Sequence, residues 1–297
     1  MGKSYHVDEL REKLAEILHE SKIGMSGVEI SKKLDVNRIT MTKYLKVLSA
    51  EGFLRQKNIG NTTLWFLESG QEIFRFPNDY FKVASQYLES LIKSSEIETS
   101  SLIKNAIHSE ASVPKLINEV IIPSISYIQI LFDQGKIGNS EKKFLESIIS
   151  NSLQILYHIP IELNPKKKII LLSGDLENIL LSQAAATSLH AKEWDVINLG
   201  DMSSSINVLF DLDFQKLVNK VWKQKSGILI IAVFANSKER LTFFSDSITP
   251  LRNKVGKKMN LILCGQVEKK SKFDCDLQTE KFEDVIQWAE TKFENSK

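Results

Sequence analysis

The sequence predicts a multidomain chain, α-helical in its first half and α/β in its second, closed by a doubly wound parallel five-stranded sheet. Three observations carry that expectation. Apolar residues recur at helical spacing from Leu10 to Leu48 and again from Tyr80 to His158. From Ile169 onward, short uninterrupted apolar runs alternate with helical patterns, as fully buried parallel strands do. Punctuating residues such as Gly52, Gly60, Pro160 and Pro165 fall between these textures.

The first segment, 1–70, is built in order. Leu10, Leu14, Ile17 and Leu18 mark a first helix. Ser26 is a candidate N-cap for a second, which buries Val28, Ile30 and Leu34. The turn Asp35-Val36-Asn37 leads into a third helix whose Val36, Met41, Leu45 and Leu48 face inward. Asn37, Arg38, Thr40, Thr42, Lys43 and Lys46 are then left on its outer face. Gly52 stops that helix, and Phe53 to Trp65 forms a hairpin with its tip at Gly60-Asn61. Two short helices, a tight turn and a hairpin make a winged helix-turn-helix, which sets its second helix in the DNA major groove.

Beyond Leu67 the pattern changes. Ser69-Gly70 and Phe76-Pro77-Asn78 read as connectors, and 78–160 as a four-helix bundle. Its helices are expected over Tyr80–Lys93, Ser94–Ser109, Ser112–Leu131 and Ser140–His158, with Pro123 kinking the third. Pro160 to Pro165 and Lys166-Lys-Lys168 read as a solvated linker. The domain 166–297 places strands at Ile169–Leu172, Trp194–Leu199, Gly227–Phe234 and Asn260–Cys264. Helices follow each, the last over Phe282–Phe293. Ligands in such sheets bind beyond the strand carboxyl ends, here Ser173–Asn178, Gly200–Ser204, Phe234–Ser237 and Gly265-Gln266.

Composition narrows the function classes. The 297 residues carry a net charge of only +2, so any polyanion-binding patch is local. Between Ile30 and Gly60, Lys32, Lys33, Arg38, Lys43, Lys46, Arg55 and Lys57 face only Asp35 and Glu51, a local excess of five positive charges. Two cysteines make no disulfide scaffold. The beginning of the chain lacks a signal-peptide core, and the apolar run Gly227–Ala235 falls short of the ~20 residues of a membrane helix. A cytoplasmic protein with no membrane partner is expected. His6, His19, His108, His158 and His190 are scattered without metal-ligand spacing. Ser173 has no evident histidine partner, and Asp175 and Glu177 suit helix capping better than acid–base work. No enzyme motif stands out.

Residues Val7 to Leu67 resemble the winged-helix regulators of the ArsR and MarR type. Tyr80 to Phe293 resembles the cobalamin-binding module of corrinoid proteins, a flavodoxin-like sheet preceded by a helical cap. The run Pro123-Ser-Ile-Ser-Tyr-Ile-Gln-Ile-Leu-Phe-Asp-Gln-Gly-Lys-Ile137 is similar to the cap of the light-responsive cobalamin-binding repressors. Trp194-Asp-Val-Ile-Asn-Leu-Gly200 resembles that family's second-strand segment. The resemblance implies DNA binding controlled by a corrinoid, but the chemistry-bearing positions depart from the pattern. In the family's cap a tryptophan and nine further residues precede Glu-His; at that spacing this chain has Phe132 and then Lys142-Lys143. In the first loop Glu177 stands for the cobalt-ligating histidine and Leu180 for a glycine, while Cys264-Gly265 stands for a glycine pair. A carboxylate is a harder and poorer donor to cobalt than imidazole.

The expected function is therefore a transcriptional regulator that binds double-stranded DNA as a dimer or larger homo-oligomer. Arg38, Thr40, Thr42 and Lys43 would meet bases, and Lys46, Arg55, Lys57 and Asn61 phosphates, with Asn37 beside them. The C-terminal module would sense a small-molecule effector or join subunits. Its pocket candidates are Phe132, Lys143, Ser173, Asp175, Glu177, Gly200 and Gly265, and the cofactor stays open because the histidine is missing. The alternatives are a cobalamin sensor using non-histidine contacts such as Lys143 or Glu177, a winged-helix scaffold for protein partners and, last, a corrinoid methyl-transfer enzyme.

Overall fold

A computed structural model describes residues 7–19, 21, 24–60, 62–68, 74–205, 210–223, 226–256, 258–266 and 273–296. The chain divides into two compact units, Met1–Ala111 and Ser112–Lys297. The division falls after the second of the four expected cap helices, inside the span 78–160.

The first unit begins with α1 (Val7–His19), β1 (Met25–Ser26), α2 (Gly27–Lys33), α3 (Arg38–Ala50), β2 (Leu54–Ile59) and β3 (Thr62–Leu67). Leu10, Leu14, Ile30, Met41, Leu45, Leu48 and Trp65 close one core. Ser26 does cap α2, and Glu29 returns the bond. The Ser26 Oγ accepts from the Glu29 N–H at 3.3 Å, and the Glu29 carboxylate accepts from the Ser26 N–H at 2.8 Å. The backbone bond, then the Ser26 hydroxyl, holds the Glu29 carboxyl below its ordinary range.

Gly52 ends α3 with φ +75°, a conformation open to glycine at little cost. Its N–H donates to Ser49 O at 3.1 Å and the Phe53 N–H to Leu48 O at 2.8 Å, so two of the helix's last carbonyls are satisfied. β2 and β3 pair antiparallel from Leu54↔Leu67 to Ile59↔Thr62, leaving a two-residue loop. Asn61, expected at its tip, lies outside the described residues. The two residues of β1 add a third strand beside β3, too short to leave a pattern in the sequence. α4 (Tyr80–Ile92) and α5 (Glu96–His108) complete this unit.

The second unit starts with α6 (Val113–Leu116), which passes through a π-helical turn (Ile117–Ile121) into α7 (Ile122–Asp133), followed by α8 (Asn139–Tyr157). The sheet and its helices then alternate as β4 (Asn164–Ser173), α9 (Ile179–His190), β5 (Trp194–Asp201), α10 (Phe210–Val221), β6 (Ile228–Phe234), α11 (Lys238–Val255), β7 (Met259–Cys264), β8 (Leu277–Thr279) and α12 (Phe282–Glu294). Pro123 lacks an N–H and its ring crowds the carbonyl four residues back. The strain is absorbed as a wider turn, in which the Ile122 N–H reaches Ile117 O. The 21-residue helix Val113–Asp133 is long and apolar enough to cross a membrane by length and composition alone. Its Leu116, Ile117, Val120, Ile121 and Ile128 are nonetheless buried, and α6 and α7 pack on α9.

All five strands run parallel in the order β5-β4-β6-β7-β8. Ile170, Leu172, Leu229, Ile231, Leu261 and Leu263 turn one face toward α10 and α11, while α9 and α12 pack together on the strands' other side. The fifth strand is the short Leu277–Thr279, which sequence periodicity left unplaced.

Lys166–Lys168 corrects an expectation. It lies within β4, which begins at Asn164, and is not a solvated linker. Lys167 is 9% exposed; its Nζ donates to Lys192 O at 3.1 Å and pairs with Glu290 at 3.3 Å. Glu290 also accepts from the Trp194 indole at 2.6 Å, and Lys168 pairs with Asp195.

Candidate functional site

In the first unit, α3 exposes one face and buries the other. Met41, Leu45 and Leu48 are at most 1% exposed, whereas Arg38, Thr40, Thr42, Lys43 and Lys46 are all exposed. Among the described residues, none of Arg38, Lys43, Lys46 and Lys57 of β2 enters an ion pair. Three expected contacts are already engaged. Asn37 accepts the Ile39 N–H at 2.9 Å and so caps α3. The Thr42 hydroxyl donates back to Arg38 O at 2.8 Å. The Arg55 guanidinium lies 5.4 Å from the Phe66 ring centroid.

Sequence reasoning missed Ile39. It is 71% exposed, and with Lys43 and Lys46 it follows the i, i+4, i+7 spacing that lines one helix face. That face lies opposite Met41, Leu45 and Leu48. The same periodicity that located the buried side could have found it.

In the second unit, β4 and β6 are neighbours at the switch point of the sheet, and their carboxyl ends are stitched together. Asp175 Oδ1 accepts from the Asn178 N–H at 3.0 Å and its Nδ2 at 2.7 Å, while Oδ2 accepts the Asn236 N–H at 2.8 Å. Asn236 Oδ1 takes the Gln266 N–H at 3.3 Å. The buried Ser173 hydroxyl donates to Asp175 O, and Arg240 to Gly174 O. Asp175 therefore works as a cap and a cross-brace. Gly265 is fixed by close approach: a Cβ there would sit 1.8 Å from Ala235 O. Gly200 turns with φ +66° at the end of β5, its N–H donating to Asn198 Oδ1 at 3.1 Å.

Between this edge and α7–α8 lies a cleft of about 360 Å³, walled by Ile125, Ile128, Leu180 and Leu181 with Gln129, Lys142 and Glu177 among its polar groups. Of the pocket candidates, Glu177 lines it. Lys143 does not; its side chain is 64% exposed and pairs with Glu146 at 2.8 Å. Lys142 takes the inner position, with its side chain 12% exposed. Its ammonium donates to Gln129 Oε1 at 2.7 Å and sits 4.6 Å from the Phe132 ring centroid. Leu145 and Ile149, three and seven residues on, are buried, which puts Lys142 and not Lys143 on the inward face.

These residues do not fit a corrinoid ligated by the protein. No histidine, cysteine or methionine is among those lining the cleft, and its amine is an already engaged ammonium. Glu177 offers a hard carboxylate, and the bulky Leu180 forms part of the apolar wall. Among the described residues, no group of three or more His, Cys, Asp or Glu could hold a metal ion. The volume is near the lower end of the ~300–1,000 Å³ of pockets for drug-sized ligands.

No family model matches the sequence. A search of curated proteins found no match. Among solved structures, the chain is similar to the monomethylamine corrinoid protein of Methanosarcina barkeri, with 15% identity over 70% of this chain and 97% of that one, at a TM-score of 0.53. A cobalamin-binding protein from Desulfitobacterium hafniense is also 15% identical, over 71% of this chain and 98% of that one, at a TM-score of 0.39. The first likeness shows a fold: the chain contains a Rossmann-like, B12-binding-type module with a parallel five-stranded sheet.

Proposed function

We propose that the chain is a cytoplasmic DNA-binding transcriptional regulator, acting by binding rather than catalysis. Its first 70 residues serve as a winged helix-turn-helix, with α3 in the major groove and the β2–β3 hairpin on the phosphate backbone. One observation carries this: α3 backs its core-facing apolar stripe with exposed Arg38, Lys43 and Lys46, and none of these enters an ion pair among the described residues. Exposed cations without counter-charges cost little in water and release counterions when they meet phosphate. The wing adds Lys57 and Arg55. Two copies would pair to read two half-sites, because one recognition helix alone makes few contacts.

The second unit would then act as the effector-sensing or subunit-joining part. A corrinoid held without a side-chain ligand is a second reading for it, favoured by the fold and by the cleft between α7–α8 and the sheet edge. Titration with hydroxocobalamin tests this reading: a shifted absorbance spectrum retained through gel filtration supports it, and an unchanged one removes it.

The main proposal is tested by selecting bound duplexes from a random pool at low and high salt. Enrichment of one motif, with affinity falling steeply as salt rises, is the expected result. A pool without enrichment and a flat salt response would mean that α3 serves a protein partner.

A further inference from the structure

An isoleucine that is 71% exposed gains nothing from the core. Ile39 nevertheless occupies the first turn of α3, midway between the flanks of the outer face and in line with Lys43 and Lys46. Its backbone N–H is pinned by the Asn37 cap at 2.9 Å, so this turn is ordered. The hydroxyl of Thr42 is turned back to the helix backbone, which lowers the number of free donors there. The first turn of this face thus presents one large apolar group beside cations; the other exposed apolar side chain of α3, Val47 at 52%, stands in its last turn. Charge complementarity points to a polyanion, and the apolar group must then meet an apolar feature of that polyanion. In the major groove of DNA that feature is the C5-methyl group of thymine.

We infer that Ile39 reads a thymine methyl, so that the preferred site holds a T·A pair where the first turn of α3 enters the groove. The inference rests on α3 binding DNA as proposed above and adds to it the kind of base pair selected. Deamination or methylation state elsewhere in the duplex is irrelevant to it; only the methyl opposite Ile39 counts.

The test uses the full chain and the motif recovered by selection. Each thymine in turn is replaced by uracil, which removes the C5-methyl and leaves the pairing edge unchanged. At one position the parent protein should bind about 4-fold more weakly, the effect of withdrawing one buried methyl from apolar contact. The Ile39→Ala variant should bind thymine and uracil duplexes alike at that position. Its thermal midpoint should match the parent, because the side chain is exposed. A parent indifferent to uracil at every position overturns the inference and leaves DNA binding standing. A parent that binds no duplex at all overturns both. An Ile39→Ala variant that still distinguishes thymine from uracil assigns the contact to another residue and overturns the inference alone.

Discussion

The α/β module and the α3–β2 face treat their cations in opposite ways. In the α/β module, Lys167 is held by Glu290 and Lys192 O, Lys168 by Asp195, Lys142 by Gln129 and Glu146, and Arg252 by Asp274 and Asp276. On α3 and β2, Arg38, Lys43, Lys46 and Lys57 are solvated and have no carboxylate partner among the described residues. The burial differs in step: the side chains of Lys167 and Lys142 are 11% and 12% exposed. A cation removed from water needs a fixed counter-charge. One left in water needs none, and remains available to an external anion. Similar residues are structural in one region and solvent-exposed in the other.

The largest effect should come from removing a counter-charge inside the module. Glu290→Ala strands Lys167 and the Trp194 indole together, and should lower unfolding stability by about 3 kcal/mol, the lower end for a broken buried pair because Glu290 is partly exposed. Urea denaturation measures it; a change under about 0.5 kcal/mol would erase the contrast between the module and the α3–β2 face. Next is Arg38→Ala, which should weaken binding at the preferred site by ~1–3 kcal/mol and relax its specificity without moving the thermal midpoint. Equal affinity of variant and parent for every sequence would remove Arg38 from base reading.

Ser26→Ala removes the α2 cap and should cost ~1 kcal/mol of stability, read by denaturation. Smaller still, Lys46→Ala should leave stability unchanged and reduce the slope of log affinity against log salt by about 1. A destabilised Lys46→Ala protein would place this lysine with the structural cations. The finest test concerns Cys264. Burial, reinforced by Asp284 and Glu283, pushes its thiol up to about 12. A raised thiol contributes its full stabilisation below the ordinary thiol range and loses it as pH climbs toward 12. Iodoacetamide at pH 9 should therefore modify Cys264 only after unfolding, and mass spectrometry of the folded protein should find it intact.

Much of this architecture was legible because burial imposes periodicity. Met41, Leu45 and Leu48 announce the inner face of α3, Gly52 its end, and Ile228–Phe234 reads as a strand buried on both sides. What escaped was short or contextual. β1 has two residues and β8 three, too few for any alternation to register. The lysine run at 166–168 looks solvated in sequence, yet the register of β4 turns its middle member toward Glu290. Lys142 and Lys143 are chemically identical, and only the 100° step of a helix decides which one enters the cleft. The expected DNA-facing set was right about exposure for every described member. It left out the apolar Ile39 and Val47, which are 71% and 52% exposed on the same helix.

The junction at Gly52 has a mechanical consequence. Phe53 bonds back to Leu48 O and its own carbonyl accepts the Glu68 N–H at 3.0 Å, so the last turn of α3 and both hairpin strands are fastened within a few ångströms of one another. Helix and hairpin behave as a single rigid caliper with a fixed jaw width. Adding one residue after Gly52 would reset that width, although every side chain on the helix and the hairpin would still be present.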